Sequence, residues 1–157
     1  MPTIHWLGAG LSSVPGIRRL AASGRPFILW NRTLSKAQIA LDDSSGQARA
    51  LGWAELMKAV QPGDVVVSML PADLHSRVAT LCLQRGSHFV SSSYVSPIMQ
   101  ALDTETKAND LRFVNEVGLD PGIDHLMAHA LMADYQASGI MNPAHEHRFH
   151  SYCGGFP

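Results

Sequence analysis

A glycine-rich turn near the start of the chain is the first segment whose residue types and spacing suggest chemistry. An apolar run at residues 3–7 is followed by Gly8-Ala9-Gly10-Leu11-Ser12-Ser13 and then by an amphipathic stretch. In a strand–turn–helix unit the first glycine permits the tight turn, and the second lets the backbone approach a pyrophosphate. Free N–H groups at the start of the helix then face that anion. The pattern predicts dinucleotide-binding residues at Gly8, Gly10, Leu11, Ser12 and Ser13.

The end of the second apolar run indicates which dinucleotide binds. Residues 26–30 lead into Asn31, Arg32 and Thr33, where an NAD site usually has a carboxylate for the ribose 2′-hydroxyl. No carboxylate stands there to repel a 2′-phosphate, and the Arg32 guanidinium can pair with that phosphate or stack on adenine. The three residues therefore predict NADP as the cofactor, with NAD as the alternative. In the simpler interpretation, Arg32 is a solvated surface side chain.

Three further loops follow apolar runs and should meet at one edge of a sheet. They comprise residues 68–71, 92–94 and 119–122. In parallel sheets, ligands bind in the crevice beyond the carboxyl ends of the strands. Pro71 either shapes the loop over the cofactor or merely ends its strand. We expect four residues of these loops to contact the cofactor: Met69, Leu70, Pro71 and Leu119.

The same loops hold the candidates for substrate binding. Ser93 and Tyr94 can donate hydrogen bonds to a carboxylate or to the cofactor ribose, although a tyrosine here is also a common packing residue. Asp120 can orient an amine or take part in proton transfer, and it is the candidate catalytic residue. Its alternative role is to form a turn before Pro121. Cys153 stands beside two glycines that permit close backbone approach.

The histidine-rich segment does not suggest a metal site. Residues 145–147 read His-Glu-His and His150 follows closely, but the spacing differs from the His-Glu-x-x-His pattern of helical zinc sites. We interpret the segment as a polar surface loop and expect no metal.

The elements that must position these residues alternate regularly along the chain. Short apolar runs suit strands buried on both faces of a parallel sheet, and helix-length stretches lie between them. Such alternation predicts an α/β fold, a Rossmann-type doubly wound parallel sheet. The predicted strands are 3–7, 26–30, 64–69, 88–91 and 112–114, with one possible strand near 148–152. The predicted helices are 13–23, 35–41, 54–60, 74–85, 97–109 and about 125–135.

Composition excludes several classes of protein. The chain has 157 residues, 46% of them hydrophobic, which is enough for one domain with a core. With 12 basic and 13 acidic residues, no basic surplus points to nucleic acid. No apolar run is long enough for a membrane span, and no signal peptide is evident. The two cysteines are far apart in sequence, which fits reduced thiols and predicts a cytoplasmic protein.

Several of these segments together resemble the saccharopine dehydrogenases of the glutamate-forming type. The most specific is Asn115-Glu116-Val117-Gly118-Leu119-Asp120-Pro121-Gly122-Ile123-Asp124-His125. The others are Val66-Val67-Ser68-Met69-Leu70-Pro71, Ser91-Ser92-Ser93-Tyr94-Val95-Ser96-Pro97 and Ser151-Tyr152-Cys153-Gly154-Gly155-Phe156-Pro157. The resemblance extends from about residue 3 to the last residue.

The resemblance implies an NADP-dependent oxidoreductase of lysine metabolism. Its substrates would be saccharopine, glutamate and aminoadipate semialdehyde, and Ser93, Tyr94, Asp120 and Cys153 would line the substrate site. It also implies a Rossmann domain at residues 1–123 and, at 124–157, a linker helix with the start of a truncated α/β substrate and dimerisation domain. The full-length enzyme would then be a homodimer, and this part alone would be inactive. Two alternatives remain: another imine-reducing dehydrogenase, such as a carboxynorspermidine type, or a non-catalytic dinucleotide-binding module.

Overall fold

The protein is seen here as a computed structural model that describes residues 1–42 and 46–154. Strands and helices alternate along the chain, as predicted. The strands are β1 Ile4–Leu7, β2 Phe27–Asn31, β3 Gln47–Ala50, β4 Val65–Ser68, β5 His88–Ser91 and β6 Phe113–Val114. The helices are α1 Val14–Ala22, α2 Leu34–Leu41, α3 Trp53–Ala59, α4 Ala72–Arg85, α5 Pro97–Ala101, α6 Asp103–Ala108 and α7 Ile123–Ala137, with a 3-10 turn at Leu11–Ser13.

All six strands of the described residues lie in one parallel sheet. Their order is β3-β2-β1-β4-β5-β6, the arrangement of dinucleotide-binding folds. The order reverses between β1 and β4, so a crevice opens beyond the carboxyl ends of these two strands. The prediction of a Rossmann-type doubly wound sheet is confirmed.

Helices cover both faces of the sheet. Successive side chains of a strand point to opposite faces, so each strand contributes to two cores. Leu29 packs in one core with Ile17 of α1 and Ala37 of α2. Its neighbour Trp30 packs on the opposite face in the core that contains Leu56 of α3 and Val78 of α4. Burial on both faces explains the unbroken apolar runs of the central strands.

The structure corrects three details of the predicted elements. β3, with the sequence Gln-Ala-Arg-Ala, is a strand that lacks an apolar run, because it lies at the sheet edge and is largely exposed. The helix predicted at 97–109 breaks at Leu102, which ends α5 and begins α6. The strand predicted near 148–152 is wrong, since this segment is coil and pairs with no strand of the described residues.

A buried polar cluster links the first, second and fourth strands away from the carboxyl edge. Trp30 Nε1 donates to His5 Nδ1 at 3.1 Å, so His5 carries its proton on Nε2 and donates it to Asp64 Oδ2 at 3.1 Å. Asp64 also accepts the backbone N–H groups of Thr3 at 2.7 Å and Gln61 at 2.9 Å. Burial alone raises the pKa of Asp64, but these hydrogen bonds outweigh it and hold the pKa below its ordinary value. The cluster is therefore a structural tie that favours an ionised Asp64.

Replacing Asp64 with Ala should lower the free energy of unfolding by about 3 kcal/mol, because three donors lose a buried acceptor. A depressed carboxyl pKa stabilises the fold above the unfolded-state pKa, and that stabilisation is lost as pH falls through the folded-state pKa. Urea unfolding should therefore show wild-type stability falling more between about pH 7 and about pH 3 than that of the variant. Asp103→Ala is the control, since Asp103 pairs with Lys107 on the exposed surface. Equal losses from the two variants would contradict the assignment.

Candidate functional site

The glycine-rich turn lies at the carboxyl end of β1, directly against the end of β4. Gly8 has a φ of 102°, and a Cβ there would lie 2.6 Å from the Met69 carbonyl oxygen. Its N–H donates to the Trp30 carbonyl at 2.8 Å, which fixes the turn to β2. A side chain at position 8 is excluded both by conformation and by space, as the fingerprint requires.

Two small residues, Ser13 and Gly16, let the first helix pack closely on the first strand. Ser13 is buried, as expected for the residue that lets helix and strand approach. One turn later a Cβ at Gly16 would lie 3.0 Å from the Trp6 ring, so Gly16 also permits close packing of α1 on β1. Pro15 lies in the first turn of α1, where its missing N–H removes no helical hydrogen bond.

The space over the turn is open. A Cβ built on Gly10 meets no atom within 4 Å, and Leu11 beside it is 97% exposed. The turn forms one wall of a cleft of about 460 Å³. The cleft is lined by the ends of β1, β2 and β4 and by the segments that follow β2, β3 and β4: Gly8, Ala9, Gly10, Asn31, Arg32, Thr33, Lys36, Leu51, Trp53, Met69, Leu70, Pro71 and Leu74. The cofactor residues predicted after β2 and β4 all line this cleft: Asn31, Arg32, Thr33, Met69, Leu70 and Pro71.

The charge of this cleft fits a phosphorylated dinucleotide. Asn31 holds the turn through its amide, accepting from Ala9 N at 3.2 Å and donating to the Thr33 carbonyl at 2.9 Å. Two exposed cations, Arg32 and Lys36, lie at the same end of the cleft, and none of the described lining residues is acidic. The open glycine edge and this basic end fit NADP, because arginine and lysine side chains are the usual partners of a phosphate. Lys36 was not among the predicted cofactor residues. Its position in the first turn of α2, which begins directly after Thr33, is what brings it to the cleft.

Arg32→Asp should weaken NADPH binding by about 10- to 100-fold, because a carboxylate replaces a partner of the phosphate. Binding of NADH, which lacks that phosphate, should change far less. Calorimetric titration with both cofactors measures the difference. Arg25→Asp is the matched control, because Arg25 is exposed just before β2 at the opposite edge of the sheet. Equal losses for NADPH and NADH would exclude a role for Arg32 at the 2′-phosphate.

A buried histidine joins the ends of β4 and β5. His75 of α4 is 4% exposed, with Nδ1 2.9 Å from Ser68 Oγ and Nε2 2.9 Å from Ser93 Oγ. Burial lowers the pKa of His75 despite the opposing field of Asp73, which favours the neutral ring. Sequence analysis missed His75. His75 lies in the helix that follows the fourth strand, seven residues after Ser68. This spacing alone does not show that its ring contacts Ser68 and Ser93.

The loops after β5 and β6 lie side by side. The Tyr94 hydroxyl donates to Asp120 Oδ1 at 2.6 Å, and the Ser93 carbonyl accepts from Glu116 N at 3.1 Å. The hydrogen bond to Asp120 raises the pKa of Tyr94 to about 12, so the phenol stays protonated. Gly118 packs against Ser92, where a Cβ would lie 2.9 Å from the serine Cβ. The structure thus brings Ser93, Tyr94 and Asp120 together.

Leu119 and Cys153 lie in a different cleft. It has a volume of about 470 Å³ and is bordered by α7 and by the tail that runs back along it, residues 149–154. Within residues 1–42 and 46–154, no hydrogen bond links Cys153 to Ser93, Tyr94 or Asp120. The roles of Leu119 at the cofactor and of Cys153 at the substrate therefore stay predictions. Gly155, Phe156 and Pro157 of the same motif lie outside the described residues.

Two absences hold for the part of the chain that the structure describes. No three His, Cys, Asp or Glu side chains there are grouped closely enough to hold a metal ion. No helix there combines the length and the apolar character needed to cross a bilayer.

Known proteins similar to this chain agree with the NADP cleft described above. Residues 4–114 match the family model described as the saccharopine dehydrogenase NADP binding domain. Over 156 residues the chain is 35% identical to saccharopine dehydrogenase [NADP(+), L-glutamate-forming] of Saccharomyces cerevisiae, covering 96% of this chain and 34% of that protein. It is 39% identical over 102 residues to α-aminoadipic semialdehyde synthase of Arabidopsis thaliana, covering 65% of this chain and 9% of the other. The chain thus spans about a third of the length of the yeast relative.

Solved structures give the same result. Apo saccharopine dehydrogenase (L-Glu forming) from Saccharomyces cerevisiae superposes with a TM-score of 0.78 at 32% identity, covering 88% of this chain and 32% of that one. A 3-ketoreductase from Actinomadura kijaniata in complex with NADP and TDP-benzene superposes at 0.69 with 18% identity, covering 90% and 45%. The second likeness shows the shared fold alone.

Proposed function

The chain belongs to the saccharopine dehydrogenase family and carries its NADP-binding domain, and from that premise we propose that the whole protein oxidises or forms saccharopine at its CH–NH bond. In the oxidative direction, a hydride leaves the carbon and a proton leaves the amine, which gives an imine. Water then splits the imine into glutamate and aminoadipate semialdehyde. Bound NADP supplies the hydride acceptor, or NADPH the donor in reverse.

The residues of this chain divide the work between two regions. Gly8, Gly10 and the 3-10 turn at Leu11–Ser13 face the pyrophosphate. Asn31, Arg32 and Thr33 bind the adenosine ribose and its phosphate, and Met69, Leu70 and Pro71 lie against the rest of the dinucleotide. Ser93, Tyr94 and Asp120 bind the substrate. Leu119 and Cys153, which border the separate cleft beside α7, are proposed as further contacts to the cofactor and the substrate respectively. The observation that carries the proposal is the hydrogen bond from Tyr94, the residue after Ser93, to Asp120, which joins the loops after β5 and β6 of the sheet whose other strand ends form a cleft that fits NADP.

Asp120 is the candidate for contact with the amine that reacts. Its carboxylate faces outward beside Tyr94, which donates to it at 2.6 Å. Negative charge from Asp120, Asp124 and Glu116 acts on Tyr94, so this end of the site attracts a cationic amine. Tyr94, protonated throughout the physiological range, acts as a hydrogen-bond donor that orients Asp120.

We further propose a domain boundary between residues 123 and 124. α7 has no buried side chain within the described residues, and its apolar residues Leu126 and Met127 are 70% and 67% exposed. Such a surface fits the linker to a substrate and dimerisation domain, and the whole protein would be a homodimer. The free thiols of Cys82 and Cys153 are consistent with a cytoplasmic location.

The test is an assay of the whole protein with saccharopine and NADP. We expect absorbance of NADPH to appear only when saccharopine is present, and equal amounts of glutamate to be released. Carboxynorspermidine is offered in parallel. Turnover of that compound without turnover of saccharopine would refute the substrate assignment, and turnover of neither would favour a non-catalytic module.

A further inference from the structure

The histidine that joins two strand ends has its hydrogen bonds fixed in one direction. Ser68 lies at the end of β4 and is 0% exposed. Among residues 1–42 and 46–154, the Ser68 hydroxyl has one side-chain hydrogen-bond partner, His75 Nδ1, at 2.9 Å. A buried hydroxyl that donates to nothing is costly, so Ser68 donates its proton to Nδ1.

This direction determines the tautomer of the ring. A neutral imidazole has one N–H and one lone pair. Because Nδ1 accepts from Ser68, the proton of His75 is on Nε2. Nε2–H then donates to Ser93 Oγ at 2.9 Å. The ring packs edge-on against Phe89, which limits its freedom to turn over.

The consequence appears at Ser93. Its oxygen already accepts a hydrogen bond from His75, so its own proton is free to be donated elsewhere. Ser93 is half-buried at the carboxyl end of the sheet, and the neighbouring Tyr94 and Asp120 are exposed. An anionic or carbonyl oxygen arriving from the open side would therefore meet a hydroxyl that is already oriented as a donor.

We propose that His75 is a positioning residue that holds Ser93 as a hydrogen-bond donor to a substrate carboxylate, a role that rests on the proposed function. The relay runs from Ser68 through His75 to Ser93, and only Ser93 touches the substrate. Ser68 and His75 act at a distance, because both are buried.

The relay predicts a specific pattern of kinetics in the whole protein. His75→Phe and Ser93→Ala should each raise KM for saccharopine about tenfold, the lower range for a lost hydrogen bond to a charged group. The affinity for NADPH should stay within about twofold, since neither side chain lines the NADP cleft. The double variant should be no worse than Ser93→Ala alone, because both changes remove the same interaction.

Ser68→Ala is the sharpest variant. It removes the donor that fixes Nδ1 as an acceptor, so the Nε2–H tautomer is no longer enforced. In the molecules that hold the proton on Nδ1, the ring accepts from Ser93, which then no longer donates outward. KM should rise although Ser68 is fully buried. Ser87→Ala is the matched control: Ser87 is equally buried, but its hydroxyl bonds to the Cys82 carbonyl at the opposite edge of the sheet. We expect its KM to be unchanged.

A readout that needs no turnover separates this inference from the proposed function. In the whole protein labelled with ¹⁵N-histidine, the His75 signals should show an unprotonated Nδ1 and a protonated Nε2, and Ser68→Ala should shift that balance. A protonated Nδ1 in the wild type would overturn the relay whatever the substrate is. An unchanged KM in His75→Phe and Ser68→Ala, in an enzyme that does turn over saccharopine, would also overturn it. An Nε2–H tautomer in a protein inactive on saccharopine would overturn the carboxylate role and the proposed function, but not the geometry.

Discussion

A polypeptide of residues 1–157 should bind NADPH and should fail to turn over saccharopine. Saccharopine carries several carboxylates, which proteins normally hold with arginine or lysine. The substrate group Ser93, Tyr94, Asp120 and Cys153 contains no basic side chain, and Glu116 and Asp124 add negative charge near Tyr94. We therefore expect the carboxylates to be held mainly by residues outside residues 1–157.

The expected loss of rate is large because positioning is lost with those residues. Holding two reactants in a productive geometry can supply about 7–11 kcal/mol of a barrier. The chain alone should therefore be slower than the whole protein by at least about 100,000-fold. The measurement is NADPH absorbance with saccharopine and NADP, at equal concentrations of the two proteins. Comparable rates would mean that the substrate site is complete within residues 1–157.

Gly10→Val should weaken the binding of NADPH by about 100-fold or more while leaving the fold intact. The backbone at Gly10 has φ −73° and ψ 167°, a conformation that valine adopts readily, and nothing lies within 4 Å of an added Cβ. The new side chain would therefore stand in the space where we place the pyrophosphate. Hydrogen bonds to a charged group are worth about 1.5–3 kcal/mol each, so loss of the backbone contacts to the pyrophosphate accounts for an effect of that size.

Gly10→Val is informative because it should lower the affinity for NADPH without lowering the stability of the fold. Its melting temperature should stay close to that of the wild type, because an exposed glycine in an ordinary conformation is replaced. A variant at Gly8 would not separate the two effects, since a Cβ there meets the Met69 carbonyl. Ala22→Val, at the far end of α1, adds similar bulk on an exposed site and should bind NADPH normally. Normal affinity in Gly10→Val would place the dinucleotide elsewhere.

The cofactor half of the site could be predicted from the sequence because its signals are local. The glycine turn and the residues Asn31 and Arg32 each follow an apolar run, and parallel strands carry such residues to a common edge. Lys36 and Trp53 join the same cleft from neighbouring helices, and their contribution depends on how α2 and α3 pack. That packing has no short sequence signature.

The substrate half could be predicted only in part. The sequence predicts Ser93, Tyr94 and Asp120 because they are polar residues that follow strands. The hydrogen bond between Tyr94 and Asp120 has no such signal, because it joins two residues 26 positions apart. β3 has no apolar run that predicts it, because an exposed edge strand needs none. The strand expected near 148–152 did not form because a strand is stable only with a paired neighbour.

Hydrogen–deuterium exchange of the 157-residue chain, with and without saturating NADPH, tests the central claim most directly. We expect slower exchange in the segments 8–14, 31–36 and 69–74, where the ends of β1, β2 and β4 line the cleft. Exchange along α7 and residues 138–154 should stay as it is in the free chain. Protection confined to residues 119–154, or no protection at saturating NADPH, would contradict the assignment of this chain as an NADP-binding domain with its site over Gly8 and Gly10.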